Sequence, residues 1–190
     1  MRRIETRLDG PMLIEPQVLG DERGFFCETY RRSTFGELGI AEEMVQDNHS
    51  RSRRGVVRGM HFQIGSGAAK LVRCATGAIL DVVVDIRRGS PTFGEWEAFE
   101  LDDENLRIAY CPIGFAHGFC TLSERADVIY KQSGYYSGDT ERGIRYDDPD
   151  VAIAWPEGLE LSPSMRDANA PLLRDIADEL PFTYQPTPAA

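Results

Sequence analysis

Val56-Val57-Arg58-Gly59-Met60-His61-Phe62-Gln63, Lys70-Leu71-Val72-Arg73-Cys74 and Ile79-Leu80-Asp81-Val82-Val83-Val84-Asp85-Ile86 follow one another with only short glycine-bearing turns between them. Each run is rich in β-branched and aromatic residues and has the length of a strand rather than a helix. Further runs of the same kind, Trp96 to Leu101 and Val128-Ile129-Tyr130-Lys131, lie beyond more Gly and Pro turns. Strands at this spacing predict a mainly β fold, an antiparallel sandwich or barrel. In Gly94-Glu95-Trp96-Glu97-Ala98 carboxylates alternate with apolar side chains, which places them on opposite faces. The phase slips at Phe99-Glu100-Leu101, which predicts either a bulge or a strand buried on both faces.

Helical signals are few. Ser33-Thr34-Phe35-Gly36-Glu37-Leu38 reads as one short helix capped by Ser33, and Leu172 to Leu180 as a C-terminal helix ended by Pro181. The 190 residues contain no repeat, low-complexity block or Pro/Gly/Ser linker, so 1–190 reads as a single domain, with 181–190 as a frayed tail. A chain of this size buries roughly 70% of the surface its unfolded form exposes.

Charge narrows the possible partners. Against 21 Lys+Arg stand 31 Asp+Glu, a formal net charge of −10. An acidic surface repels phosphodiester backbones and anionic headgroups, which argues against nucleic-acid and membrane-surface binding. The opening Met1-Arg2-Arg3-Ile4-Glu5-Thr6-Arg7 has no apolar stretch behind its basic residues, so no targeting segment is expected. The most apolar window, Ala78 to Asp85, is interrupted by two aspartates and is too short to span a bilayer. Cys27, Cys74, Cys111 and Cys120 show no CxxC spacing and read as reduced, mostly buried residues of a cytoplasmic protein.

Residues 49–80 run against the acidic balance: they hold Arg51, Arg53, Arg54, Arg58, Lys70 and Arg73 and no Asp or Glu. Arginine suits bidentate contact with phosphate oxygens, and a cleft focuses the field of such a patch. Arg51, Arg53 and Arg54 either join that patch or solvate a loop beside Ser50, Ser52 and Gly55. Arg58 lies inside an apolar strand close to Met60, where a charge needs a partner.

There are three histidines, His49, His61 and His117, and the last two are each flanked by glycine and an aromatic residue. Such flanks point to a shared pocket. A metal-holding barrel would offer a second imidazole near His61, yet Gln63 stands there and no acidic residue follows before Asp81, so no metal is expected. No GxSxG elbow and no P-loop occurs, and Gly65-Ser66-Gly67-Ala68-Ala69-Lys70 lacks the third glycine and the βαβ setting of a dinucleotide site. What remains is metal-free acid–base chemistry near bound phosphate. An imidazole as a residue type changes charge near neutrality, so His61 can serve as a general base if a carboxylate orients it. Lys70 offers a cation for an oxyanion, and Tyr130 reads either as a phenolic proton donor or as a strand tyrosine with a satisfied hydroxyl.

Read in order, several stretches resemble the dTDP-4-dehydrorhamnose 3,5-epimerase family, dTDP-sugar epimerases with a cupin-type jelly roll. They are Asp21-Glu22-Arg23-Gly24-Phe25-Phe26, Val45-Gln46-Asp47-Asn48-His49-Ser50, Val57 to Gln63, Lys70-Leu71-Val72-Arg73, Asp85-Ile86-Arg87 and Ser90-Pro91-Thr92-Phe93-Gly94. The series continues through Gly114-Phe115-Ala116-His117-Gly118-Phe119, Tyr130-Lys131, Tyr135-Tyr136, Asp147-Asp148-Pro149 and Asp167 with Ala170-Pro171. Any one stretch is weak; the ordered set, from about Arg23 to Pro171, is specific.

The resemblance implies an antiparallel jelly roll, usually a homodimer with strands shared between subunits, acting on a dTDP-linked nucleotide sugar without metal or organic cofactor. It implies His61 as proton acceptor oriented by Asp167, Tyr130 as proton donor on the opposite sugar face, and Lys70 near the C4 oxygen. Arg23, Glu28, Gln46, Asp47, Asn48, Arg58, His117, Glu141 and Arg166 would line the pocket, with Tyr136 stacked on the base. Arg166 stands where many members have lysine. The expected reaction is 3,5-epimerisation of dTDP-4-dehydro-6-deoxy-D-glucose. Hydrogens beside a ketone are acidified by delocalisation into an enolate, and inversion needs a donor on the face opposite the base. Relatives that invert only C3, a ketoisomerase on the same scaffold and a non-catalytic sugar-binding module are the competing readings.

Overall fold

A computed structural model describes residues 1–185. Thirteen strands dominate it: β1 (Arg2–Ile4), β2 (Met12–Glu15), β3 (Val18–Asp21), β4 (Gly24–Cys27), β5 (Gln46–Arg53), β6 (Val57–Gln63) and β7 (Lys70–Thr76) come first. Then follow β8 (Ala78–Asp85), β9 (Trp96–Asp102), β10 (Ile108–Cys111), β11 (Phe115–Thr121), β12 (Arg125–Gln132) and β13 (Glu141–Gly143). Helices are confined to α1 (Arg32–Glu37), α2 (Met165–Ala168) and α3 (Leu173–Ile176), the last continued by a 3-10 turn over Ala177–Glu179.

The strands form two antiparallel sheets, one six-stranded in the order β1-β2-β10-β7-β12-β5 and one five-stranded in the order β13-β6-β11-β8-β9, while β3 and β4 pair only with each other. This is an antiparallel sandwich, one of the two forms that the spacing of the runs predicts, and the jelly roll that the family resemblance implies. Outside the register shifts of β6 and β12, its strands alternate their side chains between two faces. Val72, Cys74, Ala109 and Val128 of the six-stranded sheet meet Ile79, Val83, Leu101 and Phe119 of the five-stranded sheet in the central core. The outer face of the five-stranded sheet is covered by the C-terminal segment, where Leu173, Leu180 and Phe182 pack on Met60, Phe62 and Val84. The outer face of the six-stranded sheet is covered near α1 by Phe35 and Ile40.

The apolar run of β8 is continuous because both of its faces are buried: Ile79 and Val83 point into the sandwich, Val82 and Val84 into the outer layer. Its two aspartates are fully buried and each has partners: Asp85 accepts bonds from Arg87, Ser90 and Thr92, and Asp81 faces His117. The phase slip in β9 resolves the same way. The β8–β9 register is unbroken from Ala78↔Asp102 to Val84↔Trp96, so no bulge exists there. Phe99 and Leu101 enter the central core while Trp96 and Ala98 pack outward. Glu97 breaks the pattern because its carboxylate accepts the backbone N–H groups of Arg7 and Leu8 at 2.8 Å each.

Three local expectations are corrected. Ser33 does not cap α1: the helix begins at Arg32, and Arg31, two residues earlier, holds the cap position with no side-chain bond. The Leu172–Leu180 helix is a single turn plus a 3-10 turn, since only Leu173 of α3 is buried and no cap side chain holds it. The tail is ordered well past Pro181: Phe182 lies edge-on to Phe62, and Phe182 and Tyr184 bond through their backbones to Arg88. The remainder of the expected tail, 186–190, lies outside the described residues. Cys27, Cys74, Cys111 and Cys120 are all free thiols. Among the described residues no helix is long and apolar enough to cross a membrane.

Candidate active site

At one end of the sandwich the apolar filling stops and a cavity of about 500 Å³ opens between the sheets. Its size suits a small organic ligand. The inward face of the six-stranded sheet supplies Lys70 from β7, Tyr130 and Gln132 from β12 and Ser50 from β5; the five-stranded sheet supplies Arg58 and His61 from β6 and His117 from β11. Glu141 of β13, Tyr136 and the segment carrying Ser164, Arg166 and Asp167 close the sides.

Strict alternation would put Arg58 on the face of Met60, away from His61. It does not, because His117 pairs with His61 while Phe119 pairs with Arg58, so β6 spends one residue more than β11 over that interval. The surplus is absorbed where Gly59 crosses Gly118. A Cβ on Gly59 would sit 2.5 Å from Gly118 Cα, and one on Gly118 would sit 2.6 Å from Met60 Sδ. Two glycines therefore let Arg58 and His61, three residues apart, face the same cavity. Arg58 is not the buried charge expected from its apolar strand. It is exposed along the cavity wall, where its Nε donates to Ser52 Oγ at 3.0 Å and its Nη2 to the Arg51 carbonyl oxygen at 3.5 Å.

His61 Nε2 lies 2.7 Å from Asp167 Oδ1, and Asp167 Oδ2 accepts the Gly59 N–H at 3.4 Å. An ionised carboxylate only accepts, so Nε2 carries a ring proton, and in the neutral tautomer with that proton Nδ1 is the acceptor. Burial pushes the Asp167 carboxyl up, but bonds from His61, Gly59 and Ser164 outweigh it and hold the carboxyl below its ordinary range. The imidazole is thus oriented by an anion.

On the opposite wall, burial raises the Tyr130 phenol, Glu141 raises it further and Arg58 only partly opposes them, so it stays protonated. Lys70 is lowered by burial, against the pull of Cys111, Glu141 and Asp81, and its Nζ reaches within 3.5 Å of the His61 carbonyl oxygen. His117 Nε2 lies 2.8 Å from Asp81 Oδ2. Burial lowers His117, against Asp81, which favours the neutral ring; that leaves Nδ1 to accept a hydrogen bond from a ligand. Arg166 pairs with Glu141.

His61, Lys70, Tyr130, Asp167, Arg58, His117, Tyr136, Glu141 and Arg166 are thus brought together. Gln46 and Asn48 stand at the margin: Gln46 Oε1 accepts the Tyr136 N–H, and its Nε2 donates to Asn48 Oδ1, both at 2.8 Å. Asn48 is the register partner of Tyr130. Asp47, one residue from each, takes the other face of β5 and pairs with Lys131 outside the cavity. Arg23 and Glu28 are also outside it: Arg23 pairs with Asp21 at the tip of the β3–β4 hairpin, and Glu28 pairs with Arg31. Of the six cations in 49–80 only Arg58 and Lys70 line the cavity; Arg51 faces outward onto Asp127. Sequence reasoning missed Asp81, Gln132 and Ser164. Asp81 was visible as an acid inside an apolar strand, and Ser164 as the first residue of a Ser-x-x-Asp pattern.

The sequence model of the dTDP-4-dehydrorhamnose 3,5-epimerase family matches residues 5–175. A dTDP-4-dehydrorhamnose 3,5-epimerase of Salmonella typhimurium is 51% identical over 172 residues, 90% of this chain and 94% of that protein. A dTDP-4-dehydrorhamnose 3-epimerase of Streptomyces niveus is 44% identical over 180 residues, 94% of this chain and 86% of that protein. Among solved structures, the dTDP-6-deoxy-D-glucose-3,5-epimerase of Legionella pneumophila in complex with dTDP-4-keto-L-rhamnose superposes with a TM-score of 0.94 at 47% identity, covering 97% of this chain and 99% of that one.

Proposed function

Because the chain belongs to the dTDP-4-dehydrorhamnose 3,5-epimerase family, a family of carbohydrate isomerases, we propose that it converts dTDP-4-dehydro-6-deoxy-D-glucose into dTDP-4-dehydro-L-rhamnose. The observation that carries this reading is the pair of facing groups in one cavity: an imidazole held by Asp167 on one sheet, a phenol kept protonated on the other.

His61 Nδ1 takes the proton from the carbon beside the ketone, and the C–H electrons delocalise onto the C4 oxygen. Lys70 donates to that oxygen in a site partly closed to water, where a fixed cation is worth roughly 10²–10³-fold in rate. Tyr130 then gives its proton to the opposite face of the carbon, and the enolate electrons form the new C–H bond. One C–H bond breaks, one forms, and His61 and Tyr130 return to their starting states by exchange with solvent. The same sequence at C3 and at C5 gives the doubly inverted sugar.

Arg58, with Arg166 beyond it, holds the diphosphate and so turns remote binding into orientation of the ring. Tyr136, exposed at the mouth, stacks on the base, with Gln46, Asn48, His117 and Glu141 holding sugar and ribose. The working unit is a homodimer in the cytoplasm, in which Arg23 and Glu28 of the β3–β4 region serve the cavity of the second copy.

Incubation with dTDP-4-keto-6-deoxyglucose in deuterium oxide loads deuterium at both C3 and C5. The Streptomyces niveus relative, named a 3-epimerase, supports a second reading, in which label enters C3 alone. No label at either carbon overturns both.

A further inference from the structure

Ser164-Met165-Arg166-Asp167 has the form of a helix capping box, a hydroxyl residue with an acid three positions on. Half of the box is present. Ser164, in extended conformation at φ −70° and ψ 159°, caps α2, and its Oγ accepts the Asp167 N–H at 3.1 Å. In a complete box the acid folds back onto the N–H of the cap residue. Here the Asp167 carboxylate turns away instead, with Oδ1 on His61 Nε2 at 2.7 Å and Oδ2 on the Gly59 N–H at 3.4 Å.

The flanks of α2 are held by the Ser162 backbone bonds to Gly55 and Val57 and by the Arg166–Glu141 pair, while the Asp167 N–H itself is met by the Ser164 hydroxyl. α2 is a single turn, too short to be stable by itself. Met165, its first residue, is 79% exposed, so no apolar side chain anchors the start of the turn. Asp167 is the one buried residue of the helix, and where its side chain goes depends on how its backbone is held. The Ser164 hydroxyl bonds that backbone directly. It is also among the groups that keep the Asp167 carboxyl ionised.

We propose that Ser164 is a positioning residue of the proton acceptor, fixing Asp167 so that its carboxylate meets the His61 imidazole. Ser164 acts through Asp167 and does not itself touch the reacting atoms. This inference rests on the assignment of His61 as the base. A misplaced carboxylate lets the ring rotate, and geometric errors of about an ångström cost up to about 100-fold in rate.

The test compares Ser164→Ala, Ser164→Gly and Ser164→Thr in the full chain, with Ser123→Ala as a control for stability. Ser123 makes comparable turn bonds to Ala78 and Arg125, away from the cavity. Glycine is tolerated at a helix cap, so Ser164→Gly removes the hydroxyl and keeps α2 even if alanine unfolds it. Two quantities are read: kcat and KM on dTDP-4-keto-6-deoxyglucose, and the low-field proton resonance of the hydrogen-bonded His61 ring N–H in the unliganded protein. The corresponding His117–Asp81 resonance is an internal reference.

Ser164→Ala and Ser164→Gly are expected to lower kcat roughly tenfold or more while KM stays within about twofold. They should also broaden or abolish the His61 resonance and leave that of His117 unchanged, and threonine should restore both. Ser123→Ala should reduce thermal stability without lowering kcat. An unchanged kcat, a raised KM with kcat intact, or an intact His61 resonance in the glycine variant overturns the proposal. His61→Asn, run alongside, separates the two failures: retained exchange there refutes the base assignment, while the resonance still tests whether Ser164 sets the Asp167–His61 geometry.

Discussion

His61 and Tyr130 enter one cavity from opposite sheets, the imidazole from β6 and the phenol from β12. A base and an acid on facing walls can act on the two faces of one ring carbon, and their loss should have different consequences. His61→Asn removes the acceptor and should abolish deuterium wash-in at both carbons, a loss of roughly 10²–10⁴-fold. Tyr130→Phe should still permit exchange at the first carbon but lose most inverted product. Proton NMR of the recovered sugar distinguishes them, and equal loss of exchange in both variants would sink the two-face arrangement.

The Gly59–Gly118 crossing makes a second prediction. A methyl at 118 would meet Met60 Sδ at 2.6 Å, the Arg58 carbonyl oxygen at 2.7 Å and Gly59 Cα at 3.0 Å. Two of those neighbours are backbone and cannot turn aside. Gly118→Ala should therefore cost roughly 1–3 kcal/mol of stability by overpacking. Because the strand that must yield carries both Arg58 and His61, kcat should fall and KM rise together. Thermal melts with steady-state kinetics check this; a variant as active and as stable as the parent would refute it.

That crossing also marks the limit of what could be read from the chain. Strand runs, turns and the apolar core were legible because β-branched runs of strand length have few other uses. Identifying Asp167 as the partner of His61 required the family resemblance, since 106 residues separate them and nothing local links them. The orientation of Arg58 was not legible: period-two alternation sets it beside Met60, and only the extra residue of β6 opposite β11 turns it towards His61. Asp47 illustrates the same limit in reverse, lying between two residues that point inward and itself pointing out to Lys131.

Strong acid should weaken the outer face of β5 and β12. Bonds from Arg51, with help from His49, hold the Asp127 carboxyl down at about 2, from an ordinary 3.8. A carboxylate lowered on folding stabilises the fold fully above its unfolded value, and that stabilisation disappears as pH falls through the folded value. Asp127→Asn should therefore be less stable than the parent at neutral pH, and the difference should close between pH 3.8 and about 2. Unfolding followed by far-ultraviolet circular dichroism across that range reads it, and a difference independent of pH would contradict the Arg51–Asp127 pairing.

The β3–β4 hairpin supplies the last test. Val18, Leu19, Phe25 and Phe26 are exposed at 43%, 58%, 60% and 69%, and the hairpin pairs with neither sheet. Register places Leu19 opposite Phe26 on one face, with Val18 and Phe25 on the other, so both faces are apolar. An isolated two-stranded hairpin is marginal in water, and so much apolar surface calls for a cover. With a second copy as that cover, Arg23 at the hairpin tip would be carried to the other subunit's cavity, which accounts for its absence from its own. Leu19→Asp combined with Phe26→Asp should shift the protein to monomer in sedimentation equilibrium and raise KM, while Arg23→Ala should raise KM in an intact dimer. A parent chain that sediments as a monomer and still turns over substrate would remove the second copy from the site.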